Sequence, residues 1–421
     1  MSHWKETAEI LARLAELAAA GKRAALATVV DIVGSAYRRP GAKLLIEETG
    51  ATLGSVSGGC LEADVREVAQ ALFASGGSAR PSLRHYNTGD EDVVWGLGLG
   101  CNGLVDVFVQ PATEGPLAAL SGAGSASGAG SGGLRELFAG DAAVALATVI
   151  AGGAEDEPGA TLAIDFGLPR SPAPAPAPRA AGEAPAAGEP REEEMAPLAG
   201  VHATLGTLGS PELDAQVVAR ARALLVAGRS GVQTIGGRQV FIEVLPPPPH
   251  LLVCGAGDDA RPLVAYAADV GFRVTLLDHR PALLAPEWFP QAARRVVARP
   301  EDADLALPPP ARSLAVVKTH SLAHDREWVR RLLAAGLPYV GVLGPRGRTE
   351  SILRSVAASA AGRAGAGGGD ERERVFGPVG LDLGADGPRQ VAISIVAELL
   401  AFTAGREPRH LSARREAIHA G

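Results

Sequence analysis

At 421 residues the chain exceeds the length at which one hydrophobic core usually keeps growing, so two or three domains are expected. Its 47% hydrophobic and 21% charged residues are ordinary for a globular protein, whereas Gly 53 and Pro 31 together make about a fifth of the chain and belong in linkers and turns. A net charge of -7 without a Lys/Arg block or aromatic stripe excludes nucleic acid as a general partner, and the lack of an apolar leader or a run of about 18 apolar residues points to a cytoplasmic protein without membrane insertion.

Ile10, Leu11, Leu14, Leu17 and Ala18 recur at helical spacing before a stop at Gly21, which predicts an opening amphipathic helix. Ala24 to Asp31 reads as a buried strand, followed by the turn Gly34-Ser35, the cluster Arg38-Arg39-Pro40-Gly41 and a short strand from Lys43 to Ile46. The two arginines and Lys43 offer charge for a phosphate or simply face solvent. Gly54-Ser55-Val56-Ser57-Gly58-Gly59-Cys60 then leads into a helix from Leu61 to Leu72. Cys60 thus stands at a helix N-terminus, a position that strengthens a thiol as nucleophile or metal ligand.

A second glycine-rich element, Trp95 to Gly103, passes into the alternating strand Leu104 to Val109. Cys101 stands among its glycines, where a bulky ligand can approach. A packing role as small buried residues stays open for both cysteines, and Cys254, at the end of a later strand, belongs to a sheet core. These three thiols are too few and scattered for a disulfide framework.

Two tracts, Ser121 to Gly133 and Ser171 to Glu194, have the Gly/Ser/Ala and Pro/Ala/Glu compositions of low-complexity insertions. Between them Ala145 to Ile150 echoes Ala25 to Val30, with Leu-Ala-Thr-Val in both, and reads as a further strand of the same sheet. Six residues are too short to establish a duplication. A helix from Leu213 to Ala227 and a strand from Gln239 to Val244 precede the break Pro246 to Pro249, which divides an N-terminal domain, residues 1–245, from a second, residues 246–421.

Beyond the prolines come a strand at Leu251 to Val253, the turn Gly255-Ala256-Gly257-Asp258-Asp259-Ala260, a helix to about Asp269, and a strand from Arg273 ending in Asp278. This is the order of half a nucleotide-binding unit: Gly255 permits the bend, Gly257 lets a phosphate approach the backbone, and Ala260 brings the helix close to the strand. Asp278, 23 residues after Gly255, stands where a carboxylate accepts ribose hydroxyls. Asp258 and Asp259 repel a phosphate at this turn unless they point away or hold a cation. Leu314 to Val317 and Tyr339 to Leu343 extend a parallel sheet, with helices at Asp325 to Ala335 and Pro388 to Ala401 on its faces. His320 follows the first of these strands on the ligand side of the sheet and is a candidate base or cofactor contact. A Rossmann-like scaffold without a nucleotide is the plainer reading.

Taken in order, several of these blocks resemble the XdhC/CoxI family, whose members serve maturation of molybdenum hydroxylases such as xanthine dehydrogenase. They are Gly34-Ser35 with Arg38-Arg39-Pro40-Gly41, Gly54 to Glu62, and Gly98-Leu99-Gly100-Cys101-Asn102-Gly103. Phe241-Ile242-Glu243, Gly255-Ala256-Gly257, Thr319-His320, Pro338 to Gly341, Gly344-Pro345-Arg346, Pro378 to Ala385 and Ile393 to Glu398 continue the series. The resemblance implies an N-terminal XdhC/CoxI α/β domain followed by a C-terminal Rossmann-like domain with a mainly parallel sheet, typically in a homodimer.

It also implies an accessory factor rather than a turnover enzyme. Such a factor binds the molybdenum cofactor, protects it during sulfuration by a partner cysteine desulfurase, and delivers it to an apo molybdenum hydroxylase. Cys101 and Cys60 become the preferred cofactor and molybdenum contacts, with Gly58, Gly59, Gly100, Asn102, Arg38 and Arg39 beside them and Gly255, Gly257, Asp278 and His320 in the second domain. Three positions depart from the family pattern: Asp258 for a usual His, Asn102 for a usual Gly, and Lys318 for a usual Met. Two alternatives stand beside this reading, an oxidoreductase using NAD or another nucleotide, and an assembly partner that binds no cofactor.

Overall fold

In the computed structural model, which describes residues 2–34, 37–75, 80–87, 103–120, 133–152, 158–167, 200–302, 305–360 and 371–413, the apolar stripe Ile10, Leu11, Leu14 and Leu17 is buried along α1 (Ser2–Ala19). The described residues fall into two units, one of residues 2–167 and 200–247 and the other of residues 248–413.

In the first unit α1 is followed by β1 (Ala24–Gly34), β2 (Lys43–Glu47), β3 (Thr52–Gly54), α2 (Glu62–Ala74), β4 (Ser82–Asn87) and β5 (Gly103–Pro111). The strands form an antiparallel sheet in the order β3-β2-β1-β5-β4. Two short helices, α3 (Gly115–Leu120) and α4 (Leu134–Ala139), lead to β6 (Val144–Ala151), β7 (Thr161–Asp165), β8 (Ala203–Gly206), α5 (Pro211–Val226), β9 (Gly231–Ile235) and β10 (Arg238–Leu245). The Ala145 to Ile150 segment therefore does not extend the first sheet as its sequence suggested. It is the central strand of a second antiparallel sheet, ordered β8-β7-β6-β10-β9.

The second sheet repeats the path of the first. Thr28 of β1 pairs with Lys43 and Phe108, and Thr148 of β6 pairs with Thr161 and Phe241. Leu44 faces Gly54 and Leu162 faces Gly206, so the third strands also correspond. Even the irregularities match, because the ladder skips Val30 in β1 and Ile150 in β6, one extra residue on each central strand. Val30 and Ile150 pack with Phe108 and Phe241 in one buried cluster shared by both sheets.

The second unit consists of β11 (His250–Cys254), α6 (Ala260–Asp269), β12 (Arg273–Asp278), β13 (Arg294–Val297), β14 (Ser313–Val317), α7 (Leu322–Ala334), β15 (Tyr339–Val342), α8 (Arg346–Ala360), β16 (Val375–Phe376) and α9 (Pro388–Thr403). Six parallel strands take the order β13-β12-β11-β14-β15-β16, that of a doubly wound nucleotide-binding sheet. Both faces are covered, which explains the unbroken apolar runs of its strands. Leu251 and Val253 pack with α6 and α9, while Leu252 and Cys254 pack with α7 and α8. Among the described residues no helix is long and apolar enough to cross a membrane.

Candidate functional site

The strand order reverses between β11 and β14, and ligands of open α/β sheets bind outside the carboxyl ends of the strands at such a point. The glycine turn after β11 meets the segment after β14 here. Gly255, at φ 118, has no room for a side chain, since a Cβ would lie 2.5 Å from the Lys318 carbonyl oxygen. The Lys318 N–H in turn donates to the Cys254 carbonyl at 2.8 Å.

Asp278 closes β12 beneath the same turn and is engaged on both carboxylate oxygens. Oδ2 accepts from the Ala256 N–H at 2.8 Å and from Arg280 Nη2 at 2.9 Å, and Oδ1 accepts from the backbone and Nε of Arg280, each at 2.9 Å. Burial pushes this carboxyl up, but Arg280 and the two amides outweigh it and hold the group at about 2. Asp278 thus ties the glycine turn to its neighbouring strand, and a ribose would have to share it with Arg280.

Lys318 is buried, with its side chain 2% exposed, and donates to Asp259 Oδ1 at 2.6 Å. Burial pushes the ammonium pKa down, and Asp259 partly restores it. Burial likewise raises the Asp259 carboxyl, but the Lys318 hydrogen bond and charge, with His320 at 3.4 Å, bring it below the usual range. His320 has φ 63, the one non-glycine residue with positive φ among those described, and its ring is largely exposed. The turn that carries it is held by Asp325, a fully buried carboxylate that accepts from the Thr319 N–H at 3.1 Å and from Arg348 Nε at 3.0 Å. A cavity of about 210 Å³ adjoins Lys318 and Asp259, walled by Leu263, Leu343, Val391 and Ile395.

In the first unit the turn before α2 is organised by Ser57, whose Oγ accepts the N–H groups of Gly59 at 3.2 Å and of Cys60 and Leu61 at 3.0 Å. Glu62 accepts from Ser55 Oγ and from the Ser57 N–H, each at 2.9 Å, and from Ser57 Oγ. These bonds satisfy the backbone donors locally and leave Cys60 half-buried as a free thiol. Gly58 lies against the Tyr37 ring and Gly59, at φ 114, borders open space. Arg38 is paired with Glu6, and Arg39 also has a partner. Nearby, Lys43 is buried and donates to Glu243 at 2.6 Å, to the Gly41 carbonyl at 2.9 Å and to Thr7 at 3.2 Å. Gly100, Cys101 and Asn102 lie outside the described residues.

Two family models match this chain in order: that of the XdhC and CoxI family over residues 17–87, and that of the XdhC Rossmann domain over residues 251–399. The chain belongs to the XdhC/CoxI family. A Bacillus subtilis (strain 168) protein named as a probable subunit of xanthine dehydrogenase is 29% identical over 90% of this chain and 93% of its own length. An Escherichia coli (strain K12) protein named "Uncharacterized protein YqeB" is also 29% identical, over 39% of this chain and 29% of its own. A crystal structure described as a xanthine dehydrogenase from Bacillus halodurans shares the fold, with a TM-score of 0.65 at 24% identity, covering 96% of this chain and 98% of that one.

For a member of the XdhC/CoxI family, two of the departures noted in the sequence now have positions. The Asp258 side chain is 89% exposed and pairs with Arg261 at 3.0 Å. Lys318 is buried at the turn, so it does not face solvent. Sequence reasoning missed Arg280 as the partner of Asp278, although the two lie only two residues apart, and missed the Asp325–Arg348 clamp behind His320. Nothing in the sequence marks the second of these, because 23 residues separate the pair.

Proposed function

We propose that this chain is a maturation factor for xanthine dehydrogenase or a closely related molybdenum hydroxylase. It binds the molybdenum cofactor, shelters it while a partner cysteine desulfurase installs the terminal sulfur, and hands it to the apo-enzyme. The observation that carries the reading is family membership at both ends of the chain, supported by a relative named for xanthine dehydrogenase that aligns with 90% of it.

The chemistry of the residues suits such cargo. The cofactor bears a phosphate, and the C-terminal unit presents a glycine turn and a buried ammonium beside one cavity. A half-buried thiol such as Cys60 is a soft donor of the kind molybdenum and its sulfur ligand accept. The chain's own task is to bind, orient and shield the cofactor; the redox chemistry belongs to the client.

Purification from cells that make the molybdenum cofactor, followed by molybdenum and pterin analysis and by activation of an apo-hydroxylase, tests this. Co-purified pterin and metal with activation of the client are expected. Capture of the hydroxylase without pterin affinity would make the chain an assembly partner only, and tight NAD binding with substrate-dependent hydride transfer would make it an oxidoreductase.

A further inference from the structure

Asp is among the residues that best cap a helix, yet Asp259, at the N-cap position of α6, makes no capping bond. Its carboxylate folds back over Gly257 instead. A Cβ added at Gly257 would meet Asp259 Oδ1 at 2.8 Å, with His320 Nε2 at 3.7 Å. In dinucleotide folds the missing side chain at this second glycine leaves room for a phosphate. Here the protein's own carboxylate fills that room, held by Lys318 at 2.6 Å and by His320 at 3.4 Å.

The two groups that hold Asp259 can hold a stronger anion. The Lys318 side chain is 2% exposed, and a buried ammonium needs a counter-charge. The first N–H groups of α6 are already used, Ala260 donating to the Gly257 carbonyl at 2.8 Å and Arg261 to the Asp258 carbonyl at 3.3 Å, so the side chains of Lys318 and His320 are what hold the anion. His320 is held in a left-handed conformation with its ring toward Asp259, backbone strain of the kind that gathers at ligand sites. The 210 Å³ cavity beside Lys318 adds space for the body of a ligand.

We propose that Asp259 is a displaceable internal occupant of a phosphoryl-group site: a phosphate-bearing ligand takes over Lys318 and His320 while the Asp259 carboxylate swings to solvent. The exchange sets a threshold. A single carboxylate ligand merely replaces Asp259 and gains nothing, whereas a phosphoryl group, with about two negative charges and three acceptor oxygens, engages Lys318 and His320 more strongly than one carboxylate does. The Asp259 side chain is already 28% exposed, so its release crosses no packed layer. This inference rests on the reading that the C-terminal unit holds the cofactor's phosphate. The probe below contains neither pterin nor molybdenum, so the two readings fail separately.

Inorganic pyrophosphate is titrated calorimetrically into the full-length protein and into Asp259→Asn, Lys318→Met and the double variant, with thermal melts to establish folding. Asp259→Asn is expected to bind at least tenfold more tightly than the parent, and Lys318→Met to lose binding in either background. Asp259→Ser, which supplies a neutral cap to α6, replaces Asp259→Asn if that variant does not fold. In a crystal of the parent soaked with pyrophosphate, the Lys318–Asp259 contact is expected to be broken. Equal affinities in parent and Asp259 variants, binding indifferent to Lys318→Met, an intact Lys318–Asp259 contact beside bound pyrophosphate, or no binding in the parent and in every folded variant would each overturn the proposal.

Discussion

The two halves of the N-terminal unit trace the same path with different side chains at the corresponding points. Gly41 and Gly159 have φ 99 and 100, and each donates its N–H at 2.8 Å to the strand before it, to Val29 and to Val149. Gly54 and Gly206 have φ 88 and 82, and a Cβ on either would sit 2.4 Å from a carbonyl oxygen of the next strand. Where the first half has Lys43 bonded to the Gly41 carbonyl, the second has Thr161 bonded to the Gly159 carbonyl, both at 2.9 Å. Partners cross between the halves: Glu243 of the second lies over Gly41, and Gln110 of the first lies over Gly159. The residues that lead into the helix read Ser57-Gly58-Gly59-Cys60 in one half and Gly209-Ser210-Pro211-Glu212 in the other, where the last two already open α5. What both halves keep is what the fold needs. Lys43 of the buried Lys43–Glu243 pair and the thiol after Gly58-Gly59 give way to Thr161 and Glu212 at the corresponding points of the second half, so a strand, turn and helix of this kind form without them.

The largest effect should come from breaking that asymmetry at its charged end. Lys43→Met leaves Glu243 buried without its counter-ion, and burial then pushes its carboxyl up unopposed. A loss of about 3–5 kcal/mol is expected, against about 1 kcal/mol for Thr161→Val, which removes a neutral hydrogen bond. Chemical denaturation of both variants checks the ordering. Equal losses would mean that the ion pair is no more than the polar contact of the other half.

Next come the shared glycines. Gly54→Ala and Gly206→Ala both place a side chain at positive φ against a backbone carbonyl. Each is expected to cost about 1–3 kcal/mol, with the two matching within the error of the measurement. A large loss at one site and none at the other would show that the halves are alike in outline only.

The smallest effect is a pH dependence confined to the first half. His3 lies by Gly41 and Glu243; burial first, then the charges of Lys43 and Arg38, push its imidazole down to about 4. The unfolded chain takes up this proton near pH 6.5, before the folded one does, so the stability contributed by neutral His3 is complete above about pH 6.5 and lost as pH falls toward 4. The melting temperature of the parent should fall relative to that of His3→Gln as the pH drops from 7 to 4. Parallel curves would remove His3 from the account.

The parallel sheet was legible because strands covered on both faces are continuous apolar runs, and the glycine turn stands between two of them. The second sheet was not. Its echo of the first is short in residues such as Leu146 to Val149, and the rest of the likeness lies in register, bulge and glycine conformation, which a single sequence does not display. Its outer strands, Ala203–Gly206 and Gly231–Ile235, are short and largely unburied, so they lack the alternation that marks a half-buried strand. At the candidate site, Gly255, Gly257 and Asp278 follow from spacing. Lys318 finds Asp259 across 59 residues and Lys43 finds Glu243 across 200, and only the folded chain pairs them.

The most direct test of the proposed cofactor binding, with Cys60 rather than its counterpart in the second half as a contact, is the molybdenum and pterin retained per folded protomer by Cys60→Ser beside Glu212→Gln, the corresponding position in the second half. Cys60→Ser is expected to fold and to retain and deliver several-fold less cofactor, with Glu212→Gln matching the parent. Undiminished retention and delivery in Cys60→Ser would contradict the account.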